Sequence, residues 1–359
     1  MPRITSFAVP RLLIALGILL GTDAPAQSAY RVQEGTIDGA HFAIAEPREW
    51  NGHLVLVAHG YRPPDSPLMT SLNPEYTPYR ALLSEGWMVA ATSYRRNGLI
   101  IEDAIEDLDS LRSHISEQYG TPKQVLIDGS SMGATIAVLI AETHSGAYQG
   151  ALARGAALYI DDPREPFRLS SAPRMPLLLL SNQSEIELVR QYAEQSAGAP
   201  VVPAVWEIKR DGHVKINSRE HESALRALAQ FVETGEIERT RDATIAPPPA
   251  VSSAEFRDGG TYGRIREISQ SYGNLYTDLV ESDLSKLGIT KGSSFTVSHG
   301  DDTVTVMLGA SYSDVPRGDW IGLFNSEGLL QIARNFENAA RTLGCRQGDG
   351  LFIRPIEQD

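Results

Sequence analysis

The chain has 359 residues with 32 Lys and Arg against 45 Asp and Glu, a formal charge of −13 at pH 7. Neutralising phosphates takes clustered Lys and Arg that this balance does not supply, so nucleic acid and anionic membrane surfaces are excluded as expected partners. At 42% hydrophobic and 21% charged the composition is globular and long enough for two domains, and a single cysteine, Cys345, rules out an intrachain disulfide or a thiolate metal cluster.

In chain order, Arg3 and Arg11 come first, then the apolar run 12–20, then Ala24-Pro25-Ala26. Small residues at a cleavage position after a short apolar run predict an export signal over residues 1–26, since a bilayer span needs about 20 apolar residues. The mature protein is therefore expected to be exported, periplasmic or secreted, with no membrane span. Strand-like and helix-like stretches alternate over residues 54–233, which predicts a parallel sheet covered by helices. Short apolar runs at 54–58, 87–92, 124–128, 150–153, 177–180 and 201–208 read as buried strands. Apolar residues at Ile101, Ile105, Leu108, Leu111 and Ile115 are spaced by three and four and predict a helix over 101–118; residues 134–142 and 219–233 read the same way.

Composition changes after Gly235. Residues 238–260 include Pro247-Pro248-Pro249 and carry no apolar period, so they read as an extended linker. Runs at 262–268, 293–298, 303–308, 320–324 and 350–354, separated by Gly or Asp-Asp turns, predict a strand-rich second domain over 261–359. One helix is expected at 330–343, stopped by Gly344.

The chemistry centres on Gly129-Ser130-Ser131-Met132-Gly133, between a predicted strand and a predicted helix. A sharp turn there lifts the Ser131 hydroxyl above the sheet, and glycines flank it because side chains would collide with neighbouring elements. A serine hydroxyl attacks only when a base takes its proton. In the chain order serine, acid, histidine, the base lies downstream. His144 sits roughly 20 Å along the helix from Ser131 and is too far. His221, in Glu220-His221-Glu222, reads as a solvated helix face. His213, in a glycine-containing loop after the last strand, is the candidate base. The acid follows strand 177–180: Glu185 is the first choice, with Glu187 and Asp161 or Asp162 as alternatives. Two backbone N–H groups could face a developing oxyanion, those of Met132 at the helix start and of Tyr61 in Ala58-His59-Gly60-Tyr61, with His59 structural. The proline-rich segment 62–79 is expected to shape the substrate pocket.

On Trp50-Asn-Gly52, Ala58-His-Gly-Tyr61, Tyr94-Arg-Arg-Asn-Gly98, the serine motif and Gly212-His213, residues 30–235 resemble a secreted member of the α/β-hydrolase superfamily. The resemblance implies an α/β fold, its sheet carrying helices on both faces, and acyl transfer from a small-molecule ester to water through an acyl-serine intermediate. Amide cleavage would use the same residues. The short connection between 150 and 177 leaves no room there for a cap domain.

Tyr272-Gly-Asn274, Ser311-Tyr-Ser-Asp-Val-Pro-Arg-Gly318, Phe324-Asn-Ser-Glu-Gly328 and Ile332-Ala-Arg-Asn-Phe336 with Asn338-Ala-Ala340 resemble the C-terminal β-barrel domain of the S-adenosylmethionine hydroxide adenosyltransferases and halogenases. That resemblance implies a small barrel, a possible trimer, and Asn274, Ser326 and Arg334 as nucleoside or amino-acid contacts. Ser269 stands where the family usually has an aspartate, and the family's N-terminal catalytic domain is replaced by the hydrolase. The barrel is therefore read as a docking, oligomerisation or vestigial ligand-binding module, with Cys345 a small buried residue. The alternative to an exported esterase is a nucleoside-binding or S-adenosylmethionine-binding protein whose hydrolase part is a scaffold. No metal-binding or phosphate-loop pattern is present, and no metal or cofactor is expected.

Overall fold

The structure, a computed structural model, describes residues 29–70, 72–158, 168–269 and 272–356. The expected export signal lies outside them.

Among the described residues nine strands form one sheet. An antiparallel hairpin, β1 (Tyr30–Ile37) and β2 (Ala40–Pro47), leads into β3 (His53–Ala58), β4 (Met88–Thr92), β5 (Gln124–Ser130), β6 (Gly150–Arg154), β7 (Leu177–Asn182), β8 (Ala204–Ile208) and β9 (Thr240–Asp242). Their spatial order is β1-β2-β4-β3-β5-β6-β7-β8-β9, parallel from β4 onward. This is the α/β-hydrolase arrangement. Sequence reading missed the opening hairpin because β1 is half-exposed and carries no apolar run.

The central strands are buried on both faces, which is why they read as unbroken apolar runs. Along β3, Leu54, Leu56 and Ala58 face one core with α2 (Ile101–Tyr119), α3 (Met132–Thr143) and α4 (Ile186–Gln195). Val55 and Val57 face the other with α1 (Thr77–Ser84) and α5 (Ser218–Thr234). Helix α3 is buried almost all round, as its apolar composition requires. Helix α5 opens with a capping box: Asn217 accepts from the Glu220 N–H at 2.9 Å, and Glu220 accepts from the Asn217 N–H at 2.8 Å.

The second unit contains β10 (Glu255–Arg257), β11 (Gly260–Ile268), β12 (Leu275–Val280), α6 (Glu281–Lys286), β13 (Ser294–His299), β14 (Asp302–Leu308), β15 (Trp320–Phe324), β16 (Leu329–Arg334), α7 (Ala339–Leu343) and β17 (Gly350–Pro355). Seven strands close a ring in the order β11-β12-β16-β15-β14-β13-β17, with β17 pairing back onto β11 and β10 attached outside. The barrel interior holds Leu275, Phe295, Ile332, Leu351 and Ile353. Cys345 is buried, and desolvation pushes its thiol up to about 11.

Two expectations are corrected here. The helix expected over 330–343 is strand β16 followed by the five-residue α7: Leu330, Ile332 and Ala333 lie buried between β12 and β15, and strand pairing outweighs local helix propensity. Gly344 does end α7, in the left-handed conformation. The 238–260 linker is not wholly unpaired, since β9 extends the first sheet and β10 pairs with the barrel.

Helix α3 approaches the sheet so closely because two positions lack side chains. A Cβ on Gly129 would lie 2.1 Å from the Gly133 carbonyl oxygen, and one on Gly133 would lie 2.0 Å from the Ala58 carbonyl oxygen. Both obstacles are backbone. Gly133→Ala is therefore expected to lose at least about 3 kcal/mol or give no folded protein. Gly146→Ala, whose Cβ would meet nothing within 4 Å, should stay within about 0.5 kcal/mol in urea denaturation. Equal midpoints for the two variants would contradict this account of the packing.

Candidate active site

Between β5 and α3, Ser131 sits alone at the turn with φ 57° and ψ −120°. A non-glycine residue in this region is strained, and the strain is held by the Ser131 N–H donating to the Arg154 carbonyl at the end of β6, 2.9 Å away. The turn leaves the Ser131 hydroxyl half-exposed above the carboxyl ends of the strands.

His213 reaches it from the loop after β8. Its Nε2 is 2.8 Å from Ser131 Oγ, and its Nδ1 is 2.7 Å from Glu185 Oε1. Sequence reasoning left four residues open for the acid, and the structure brings Glu185 to the histidine. Glu187 lies in the first turn of α4, exposed, beside Gln191. Asp161 and Asp162 lie outside the described residues. The two loops are stitched together by residues that sequence reading did not single out. Buried Asn182, at the end of β7, donates to the Arg210 and Lys215 carbonyls at 3.0 Å each and accepts from the Lys215 N–H at 2.8 Å. The Ser184 hydroxyl accepts from the Gly212 N–H at 3.0 Å. Val214, directly after the histidine, takes φ 51°, an outlier for a β-branched residue. Gly155 clears the space it needs, for a Cβ there would lie 2.7 Å from Val214 Cγ2.

The loop after β3 passes beside the serine. A Cβ on Gly60 would sit 3.7 Å from Ser131 Oγ and 3.1 Å from Ser131 Cβ, so this backbone is in contact with the candidate nucleophile. Tyr61 follows, 41% exposed. Met132 is the first residue of α3, where a backbone N–H has no acceptor within the helix. His59 is buried and stacks on Tyr94 with ring centroids 4.0 Å apart, its nitrogens against the carbonyls of Gly60 at 2.7 Å and Ser93 at 3.1 Å. Burial and then Arg62 pull its pKa down to about 4 against those carbonyls, so the ring is neutral and structural.

Beneath the serine lies a buried polar cluster. His221 is not on a solvated face: it is fully buried, its Nε2 2.9 Å from Asp128 Oδ2 and its Nδ1 3.2 Å from the Tyr76 hydroxyl. Tyr79 donates to Asp128 Oδ2 at 2.7 Å, and Arg154 donates from Nε to Oδ1 at 2.8 Å. Tyr76 and Tyr79 thus turn inward from the segment expected to shape the pocket. Burial pushes the Asp128 carboxyl up, but Arg154, then His221 and Tyr79, outweigh it and hold the group well below the usual carboxylate range. Burial and then Arg154 pull His221 below its ordinary value, so it stays neutral beside a carboxylate that Arg154 already neutralises. The available signal was a charged residue closing each apolar run, Asp128 in Val-Leu-Ile-Asp and Arg154 in Ala-Leu-Ala-Arg.

In the barrel, Asn274 is buried and donates to the Tyr312 hydroxyl at 2.9 Å. Arg334 donates to the Gly318 carbonyl from Nε at 2.9 Å and to Thr342 Oγ1 at 3.0 Å. Ser326 sits in the β15–β16 turn, at the other end of β16 from Arg334, about 17 Å along a six-residue strand. The structure does not bring these three together. Among the described residues no group of three or more His, Cys, Asp or Glu could hold a metal ion, and no helix is long and apolar enough to cross a membrane.

Two family models match. Residues 265–352 match the SAM hydroxide adenosyltransferase C-terminal domain, and residues 35–160 match a tannase-like family of unknown function. An o-phthalyl amidase of Xanthobacter agilis is 32% identical over 122 residues, 33% of this chain and 25% of that protein. The chain thus spans about a quarter of the curated relative that it matches. Similar solved structures include an esterase of Pyrococcus furiosus, with TM-score 0.44 and 18% identity over 57% of this chain and 89% of that one. Another is an acylaminoacyl peptidase of Pyrococcus horikoshii, with TM-score 0.46 and 12% identity over 57% and 42%.

The buried cluster makes stability pH-dependent. An unfolded histidine protonates near pH 6.5, whereas native His221 resists the proton. Below about pH 6.5 the unfolded state therefore binds more protons and stability falls. The stability contributed by the depressed Asp128 is present above about pH 3.9 and is lost as the pH drops through its lower native value. Urea midpoints should decline steadily from pH 7 to pH 4, and His221→Gln should shallow the slope between pH 6.5 and 5. An unchanged slope in that variant would remove His221 as a cause.

Proposed function

We propose that this protein is a serine hydrolase that cleaves carboxylic esters of small molecules through an acyl-serine intermediate. The observation that carries the reading is the hydrogen-bonded row Glu185–His213–Ser131, at 2.7 and 2.8 Å, with its serine raised on a strained turn. In this reaction His213 Nε2 takes the Ser131 proton as Oγ bonds to the substrate carbonyl carbon. Glu185 keeps Nδ1 protonated and stabilises the imidazolium. The oxyanion is met by the N–H groups of Met132 and Tyr61, which act most strongly once charge develops. The tetrahedral intermediate collapses, its carbon–oxygen bond to the alcohol breaks, and the leaving oxygen receives the proton from His213. A water molecule, deprotonated by His213, then attacks the acyl-serine and releases the carboxylic acid, returning the proton to Ser131.

Amide cleavage is the second reading, favoured by the similarity to an o-phthalyl amidase over 122 residues. It uses the same side chains and differs in asking His213 to protonate an amine. The nucleoside-binding alternative has less support, because Asn274 and Arg334 are each already hydrogen-bonded within the barrel and Ser326 lies at the far end of β16 from Arg334. Export through residues 1–26 and homo-oligomerisation through the barrel remain part of the proposal.

Hydrolysis of short and medium p-nitrophenyl esters, run beside fluorophosphonate labelling, tests the reading. Ser131→Ala should abolish both without lowering Tm. Glu185→Gln should lower kcat by about two to four orders of magnitude, whereas Glu187→Gln should leave it unchanged. A folded wild-type sample that neither turns over esters or amides nor takes the label would overturn the proposal.

A further inference from the structure

Among the described residues, hydrogen bonds join the barrel to the hydrolase unit beside the candidate site. Tyr272 ends its side chain on the loop after β3, donating its hydroxyl to the Tyr61 carbonyl at 2.8 Å. Glu327, in the β15–β16 turn, accepts from the backbone N–H of Ser218 at 2.9 Å, at the first turn of α5 just after the His213 loop. A carboxylate in that place satisfies an otherwise orphan helix donor and complements the helix dipole. The two barrel residues thus reach the loop after β3 and the start of α5.

The Tyr61 loop needs an outside hold. A Cβ at Gly60 would lie 3.1 Å from Ser131 Cβ and 3.2 Å from the Ser130 carbonyl oxygen, a tight fit that favours glycine there. Glycine is also the residue that least restricts its own backbone. On the inner side the loop is fixed by His59 stacked on Tyr94, and further along by the Arg62 carbonyl, which accepts from the Gly98 N–H at 2.9 Å. Arg62 itself is buried, donates to the Met69 carbonyl and also meets the Tyr272 hydroxyl, so the same phenol touches both residues of the Tyr61–Arg62 peptide. Between these anchors stands Tyr61, whose peptide carbonyl is the atom that Tyr272 holds. Fixing the Tyr61–Arg62 peptide plane restricts the neighbouring Gly60–Tyr61 plane, which carries the Tyr61 N–H.

We infer that Tyr272 is a positioning residue for hydrolysis: the barrel, through this one phenol, holds the Tyr61 N–H where the oxyanion forms. The inference rests on the serine-hydrolase reading and gives the second domain a part in the same reaction. It also assigns to the Tyr272-Gly-Asn274 motif a use outside the barrel.

The test compares Tyr272→Phe with Tyr312→Phe in the full-length chain. Tyr312 is also a barrel phenol, but its hydroxyl accepts from Asn274 and Gln331 within the barrel. Tyr272→Phe removes one oxygen and leaves the ring. It should lower kcat for p-nitrophenyl esters roughly three- to tenfold, the worth of one hydrogen bond, with KM changed less than about twofold and Tm held. Fluorophosphonate labelling of Ser131 should slow by the same factor, because phosphonylation also builds charge on an oxygen facing Tyr61 and Met132. Tyr312→Phe should match wild type in both assays. Wild-type kcat in Tyr272→Phe, or an equal loss in Tyr312→Phe, overturns the inference while the hydrolase reading stands. A folded wild-type chain without turnover or labelling overturns both.

Discussion

The site is built on a backbone contact that admits no side chain. Where β5 gives way to α3, the main chains of β3, β5 and α3 meet, and the carbonyls of Ala58 and Gly133 occupy the places that Cβ atoms of Gly133 and Gly129 would need. This closeness pushes Ser131 into a positive φ and projects it from the carboxyl edge of the sheet. A longer approach would let the serine relax into ordinary helix geometry, its hydroxyl turned along the surface. The energy of the strained turn comes from the two apolar cores that clamp β3 and β5 from both faces, so the rigidity of the sheet is what the serine borrows.

A second constraint is electrostatic. Asp128 lies three residues before Ser131, with no exposure to solvent. A lone carboxylate there would be untenable, and the structure surrounds it with Arg154, His221 and Tyr79. Arg154 serves twice, since its backbone carbonyl also receives the Ser131 N–H. Charge neutralisation under the sheet and the pose of the serine therefore share one residue. The cluster joins β5, β6, α1 and α5, elements far apart in sequence, so breaking it would leave buried charge and free four elements at once.

Much of this was legible before any coordinates. The apolar runs marked six strands because a doubly covered sheet demands them, and the order serine, acid, histidine led to His213 and Glu185. These residues stand in one hydrogen-bonded row in the structure. What escaped the sequence was whatever depends on partners distant in the chain. Residues 330–334 read as helix because their alternation is short and their pairing strands are β12 and β15. His221 read as solvated because its two neighbours are glutamates, yet Glu220 is itself buried against Arg210. The opening hairpin was missed since one of its strands faces solvent and lacks the apolar signature. Asn182 and Ser184, which hold the base and acid loops together, carry no motif at all.

The connection between the two units does more than span a distance. Its segment Thr240–Asp242 pairs in parallel with β8, from Val205 to Glu207, and Arg241 lays its guanidinium over the Trp206 ring at 4.7 Å. The sheet thus ends on a polar strand whose three residues are all exposed, rather than on the tryptophan-bearing strand inside it. A fragment cut at residue 237, where the apolar pattern of the first unit stops, would bare the β8 backbone as an open edge, the kind of surface on which chains stack. The boundary of this unit lies further on still, because Ala243 is buried in the same core and the Ile245 backbone bonds both Asn217 and Glu220 at the start of α5.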